Sequence, residues 1–435
     1  MMATVCNPLL RTPLSLIVDD SCPVINLAYY WMKQRHAWKA RHQPGVAPDR
    51  WEGDPARVDR LPHGIPAAFA RKWGEWCAEQ GIRGKFSFIP FPAGQGRIDQ
   101  GFPEFPSAEL DAWLDVAHNV LSPNFDLTPE ILTHTHVADP KTWALTEEWE
   151  QVEWVDPPVE PLTDYIAAAF QLLKNVGIAA EGVTSPGAFG KKKEAAYARA
   201  ILDASIRVNG NPQPFYFLRH EGEALPTVPI WHADKAKVEQ ASCLLAGGTP
   251  APLGEAIASI ITCAGDWFGG WTGWDAGDPD RFITADLQGG RLPAVLAAER
   301  ACVMVGHWPG FYFNGEEFGF NVLKEVKRRL DAYDPDGTKT IWMKNSEIGH
   351  YQMARELSTV VPEGQEIRVE TRFPAPDFTL RLDGFAARSV RVAGRELRPV
   401  QSRAGFKSGT FLVEGSATCL AFDLSVGEIR IVVTP

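Results

Sequence analysis

The run Leu14-Ser15-Leu16-Ile17-Val18-Asp19-Asp20 decides the fold. Its first five residues are nearly all apolar, and then two carboxylates arrive together. A strand with no polar face is buried on both sides, which is the habit of parallel sheets covered by helices. The pattern recurs outward from this point. Lys85–Pro90, Glu130–Thr135, Gly182–Ser185, Pro214–Leu218 and Ala301–Gly306 read as further strands, and Thr227–Trp231 as a weaker one. Between them, Ile65–Gln80, Ser107–Leu121, Leu162–Val176, Lys191–Ala204 and Phe318–Tyr333 carry apolar residues at helical spacing. In the second of these, Leu110, Trp113, Leu114 and Ala117 share one face. This alternation predicts an α/β fold. About seven such units predict a closed or nearly closed (β/α) barrel, with an open doubly wound sheet as the alternative. After about residue 360 the helices stop. Glu366–Arg372, Phe378–Leu382, Ser389–Val392, Gly409–Val413, Ala417–Leu424 and Ile429–Val433 read as short strands separated by turns. The expected organisation is a barrel domain over 1–360 and a small all-β, sandwich-like module over 361–435.

Composition narrows the class. The 435 residues are 45% hydrophobic and 22% charged, which is enough apolar surface to fold. No apolar run reaches the ~18 residues that span a bilayer, so no membrane partner is expected. The net charge is −11, and the one basic run, Lys191-Lys192-Lys193, is short. A duplex-binding surface gathers many more cations, so no nucleic-acid partner is expected either. Seven cysteines without a CxxC pair, and an N-terminus without a signal-peptide pattern, lead to the expectation of a cytoplasmic protein with reduced thiols.

Polar groups cluster where the apolar runs stop. Asp19-Asp20, His134-Thr135-His136, Ser185, His220-Glu221, His232 and His307-Trp308 each follow a candidate strand. In a parallel barrel all strand C-termini meet on one rim, where catalytic groups gather. Adjacent Asp19 and Asp20 point in different directions, so one can reach a cation and the other a substrate. On an extended chain His134 and His136 face the same side and could bind one metal ion. Two imidazoles with a carboxylate suit a divalent ion such as Zn, Co or Ni. His307 is a candidate general acid, and Glu221 a candidate acid/base group beside His220. The chain also holds 15 Trp. Three lie in the Gly-rich segment Asp266–Asp275, where Trp267, Trp271, Trp274 and Asp275 resemble a sugar-stacking platform. Trp308, His232 and Ser185 are further candidate substrate contacts.

Taken in order, these segments resemble the polysaccharide deacetylase superfamily, with its NodB-homology domain. The matching stretches are Ser15–Asp20 (SLIVDD), Leu132–Asp139 (LTHTHVAD), Thr184–Gly190 (TSPGAFG) and Met304–Gly310 (MVGHWPG). The resemblance covers about residues 12–350 and implies a distorted (β/α) barrel. It also implies Asp19 as general base, Asp20 with His134 and His136 as metal ligands, and His307 as general acid. The chain departs from the family pattern in the spacing of its His pair, in lacking an Arg in the third motif and in having Ser21 after Asp20. The expected activity is metal-dependent removal of an N- or O-acyl group from a carbohydrate by activated water. The alternatives are a metal-independent glycoside hydrolase, pairing Asp19 or Asp20 with Glu221 or Glu347, and a non-catalytic sugar-binding barrel.

Overall fold

The computed structural model describes residues 2–49, 52–220, 222, 224–233, 253–272 and 274–435. Among the described residues, seven strands carry the larger unit: β1 (Thr12–Asp19), β2 (Gly84–Phe88), β3 (Phe125–Pro129), β4 (Gly182–Thr184), β5 (Phe215–His220), β6 (Ile257–Thr262) and β7 (Cys302–His307). They form two parallel sheets. One runs β7-β1-β2-β3, with the short strand Thr340–Trp342 beside the start of β1; the other runs β6-β5-β4. The sheets touch at both seams. Glu130 bridges to Thr184 beyond β3, and the Cys263 amide donates to the Val303 carbonyl (2.8 Å) beside β7. Every residue of β1 is buried, as its largely apolar run leads one to expect. Register places His307 directly opposite Asp19.

Helices Leu27–His42, Ala67–Glu79, Ser107–Val116, Leu162–Asn175, Glu194–Asn209 and Phe318–Tyr333 pack around these sheets. Among the described residues, no helix is long and apolar enough to cross a membrane. Three differences from the sequence expectation bear on the site. The third strand ends at Pro129, and Glu130–Thr135 is a bent loop after it. The strand expected at Thr227–Trp231 shrinks to Ile230–Trp231, antiparallel to β6, while β6 itself is a strand the sequence reading passed over. Helix Leu27–His42 was also missed. Its charged Arg35 and Lys39 disguise a buried surface, because both pair with the fully buried Glu52.

The C-terminal module has two five-stranded sheets. One contains Ala375–Asp383, Ala417–Leu424, Thr410–Glu414 and Arg398–Val400; the other contains Thr359–Glu363, Glu366–Thr371, Gly427–Thr434, Ser389–Val392 and Arg395–Glu396. The fifth strand of the first sheet is Met2–Val5, paired antiparallel with Ala375–Asp383, so the module draws on both ends of the sequence. Its inner residues Ile367, Leu380, Val390, Leu420 and Ile431 share one buried cluster with Phe215, Ile260 and Val303 of the larger unit. Helix Asn345–Leu357 lies in that joint, and the Tyr351 hydroxyl donates to the Cys6 carbonyl (2.8 Å).

Candidate active site

A cavity of about 490 Å³ opens at the C-terminal ends of the parallel strands. Asp19 enters it from the end of β1, Glu130 and His134 from the loop after β3, Ser185 from beyond β4, Phe217 and Leu218 from β5, Thr262 from β6 and His307 from β7. Trp31, Gln151, Asp266 and Trp271 also line it.

Asp20 sits at φ +58°, a left-handed conformation that swings its carboxylate away from that of Asp19. Its amide donates to Glu130 Oε2 (2.8 Å), which also accepts from Ser87 Oγ (2.6 Å). Glu130 Oε1 faces His134 Nε2 at 3.1 Å, and Asp20 Oδ1 faces the same nitrogen at 2.8 Å. The ligand atoms of these three buried residues all lie within 4.8 Å of one another. His134 too is left-handed, at φ +62°. The bend is held by the buried Glu150, which accepts from the amides of Thr133 (2.9 Å) and His134 (2.7 Å).

Asp19 is gripped by Lys85, a fully buried lysine on β2 whose ammonium also reaches Thr184 Oγ1. Burial pushes the Asp19 carboxyl above the usual range, against the Lys85 charge. Burial would raise Glu130 as well, but His134 and Lys85 hold it low. The His134 imidazolium is favoured well above its ordinary range, because Asp20 and Glu130 outweigh its burial. On β7, the strand beside Asp19, His307 Nδ1 pairs with Asp266 Oδ2 at 2.7 Å. Burial alone would lower His307, yet Asp20, Asp266 and Asp19 bring it up to about 10.

The structure therefore gathers Asp19, Asp20, His134, Ser185, Trp271 and His307 around one cavity. Other expected residues lie elsewhere. His136 is turned away from His134, because the left-handed bend breaks the extended geometry that would align them. Its ring packs on Trp149 (centroids 4.3 Å apart), and Glu130 takes the place expected for it. Trp308 is fully buried among Phe69, Trp73, Phe86 and Trp113, so it is core and not a substrate contact. Trp267 packs on Phe282 and under Arg281, and Trp274 under Arg57. Asp275 is exposed and accepts from Thr272 Oγ1 (3.2 Å). His232 is exposed, with Nε2 on the Ala195 carbonyl (2.7 Å). Glu347 is paired with Arg83 away from the cavity. Glu221 lies outside the described residues.

The Trp271 loop is close-packed backbone. A Cβ on Gly319 would fall 1.9 Å from the Phe268 carbonyl oxygen, and one on Gly310 2.3 Å from that of Gly270. Glycine here permits contact between backbones. Sequence reasoning missed Lys85, Glu130, Gln151 and Trp31. One signal was present for Glu130: Pro129 lacks an N–H and marks a strand end, which puts Glu130 at the rim.

No protein-family model matches the chain, and no curated protein matches it. Among solved structures, it is similar to an endo-β1,6-glucanase (10% identity, covering 99% of this chain and 92% of that one, TM-score 0.29). It is similar also to the Thermotoga maritima alpha-fucosidase in complex with a mechanism-based inhibitor (9% identity, 99% and 97%, TM-score 0.33). A third is an uncharacterized protein of Listeria monocytogenes EGD-e (10% identity, 99% and 55%, TM-score 0.32). Likeness at this distance assigns neither a fold nor an activity to the chain.

Proposed function

We propose that the protein is a carbohydrate-active hydrolase that removes an N- or O-acyl group from a sugar, its two parallel sheets being the halves of one distorted barrel. The observation that carries this reading is the meeting of three devices on one cavity: Asp19 on its buried lysine, the Asp20–Glu130–His134 trio, and the His307–Asp266 pair. The trio fits a divalent cation such as Zn, Co or Ni. Ligand atoms around such an ion with bonds of about 2.1 Å stand about 3.0 Å apart at right angles and about 3.4 Å apart in a tetrahedron, and the two separations here, 2.8 and 3.1 Å, need open by only a few tenths of an ångström to admit one. Asp20 Oδ1 is buried and, among the described residues, accepts no well-directed hydrogen bond. A bound cation would acidify water and polarise the acyl carbonyl.

The protein's own groups supply the proton traffic. Asp19, with Oδ1 fixed by Lys85, accepts the proton of the attacking water. The new bond is C–O, and the bond that breaks joins the acyl carbon to the sugar nitrogen or oxygen. His307, oriented through Nδ1 by Asp266, returns a proton to that leaving atom. Trp271, set edge-to-face with Trp31 at 5.0 Å, offers an apolar wall to the sugar ring. The test is metal analysis of the purified protein, followed by assay on acylated chitooligosaccharides and xylooligosaccharides. Amide or ester hydrolysis, read as released carboxylic acid, that vanishes with a chelator and returns with Zn²⁺ or Co²⁺ supports the reading. Turnover that survives the chelator refutes it.

One observation favours a second reading, cleavage of a glycosidic bond without metal. Asp19 is raised and Glu130 lowered within the same cavity, which is how a carboxylic acid and a carboxylate divide acid and base roles. Release of reducing ends in the presence of chelator is its signature.

A further inference from the structure

Gln151 lies in the cavity wall and touches nothing that reacts. Its side-chain nitrogen is 2.9 Å from His134 Nδ1 and 3.1 Å from the His134 carbonyl oxygen. In this orientation the amide donates to the carbonyl, and to Nδ1 when that nitrogen carries no proton. In the neutral ring, the form that can hold a cation, Nδ1 is then the acceptor and the one ring proton sits on Nε2, facing Asp20 and Glu130. A nitrogen that carries a proton cannot ligate a cation. A half-turn of the same amide would give up the bond to the His134 carbonyl, bring Oε1 to Nδ1, draw the proton to that side and leave the Nε2 lone pair directed at the two carboxylates. The other ring nitrogen's partner fixes which nitrogen of a metal-binding histidine is free.

A second feature leaves the amide its place. Gly187, at φ +51°, packs on the Gln151 side chain: a Cβ there would lie 2.8 Å from Oε1 and 3.2 Å from Cβ. The Gly187 backbone belongs to the loop after β4, so the amide is held between two different strand ends.

We infer that Gln151 is the positioning residue of the trio: by the direction of its amide it decides whether His134 turns a protonated Nε2 toward Asp20 and Glu130 or opens Nε2 to a divalent cation. This rests on the cation reading above. Gln151 makes no bond to the cation and none to the substrate; it acts through His134 alone.

The experiment measures Co²⁺ binding by the visible absorption of the bound ion, and Zn²⁺ by competition, for wild type, Gln151→Glu, Gln151→Leu, Gly187→Ala and His134→Ala. Glutamate can only accept at Nδ1, so Gln151→Glu keeps or tightens Co²⁺ affinity with an unchanged spectrum. Gln151→Leu removes the acceptor and weakens affinity about ten- to a hundredfold, the range found when such outer partners are lost. Gly187→Ala crowds the amide and weakens it in the same direction. His134→Ala abolishes the spectrum. Equal affinity in wild type and Gln151→Leu overturns the inference while leaving the cation reading intact. So does equal weakening in the Glu and Leu variants. Absence of Co²⁺ and Zn²⁺ binding in wild type overturns the cation reading itself, and the inference with it.

Discussion

Replacing Lys85 with Met removes the cation under Asp19 while keeping most of the side chain's volume. Lys85 is fully buried and Asp19 is 4% exposed, so water cannot take over the lost interaction. Leaving one member of a buried pair without its partner costs about 3–5 kcal/mol. Thr184 Oγ1 loses a neighbour as well, though Thr128 Oγ1 remains 3.2 Å from it. Asp19→Asn strands the lysine instead, at a similar cost. In the double variant neither charge remains, so it should be more stable than the sum of the singles predicts by about 2–4 kcal/mol. The assay is urea unfolding of the four proteins followed by far-UV circular dichroism. Single losses that simply add would refute the pairing as the reason a lysine is tolerated inside this sheet.

Trp308→Ala should destabilise by about 3–5 kcal/mol, as removal of a fully buried aromatic does, whereas Trp271→Ala should leave the urea midpoint nearly unchanged and weaken oligosaccharide binding measured by calorimetry. Reversed results would return Trp308 to the substrate contacts. Asp126, on β3, is pushed up to about 7 by burial, although it accepts from the Ser346 amide and hydroxyl (2.7 Å each). Its folded pKa lies above the unfolded value near 4, so the folded state gains stability from its proton below about pH 4 and loses it as pH rises through about 7. Asp126→Asn should flatten unfolding stability over that interval, and an unchanged pH slope would contradict this.

The parallel core was legible because strand and helix periods survive in the apolar pattern: β1, β2, β4, β5 and β7 fall close to their expected positions. The rim was legible in part. Asp19, Asp20, His134 and His307 stand where apolar runs stop, which needs no three-dimensional knowledge to see. What failed was conformation at single residues. Placing His136 beside His134 assumed an extended chain, and the left-handed turn at His134 broke it. Tryptophans in and near the glycine segment looked exposed because glycine suggested looseness, yet those glycines let backbone pack on backbone around Trp271. Lys85 was invisible for another reason. A lysine at a strand start reads as solvated, and only its partners from β1 and β4 make it an interior residue.

The pairing of Met2–Val5 with Ala375–Asp383 has a consequence for how the chain is made and cut. During synthesis Met2–Val5 waits for a partner some 370 residues behind it, and that sheet edge cannot be completed until Ala375–Asp383 has been translated. A fragment beginning at residue 361 would carry the sheet without this border, opening the flank of Ala375–Asp383 to pairing between molecules. Grafting residues 2–5 back through a short linker is the direct remedy.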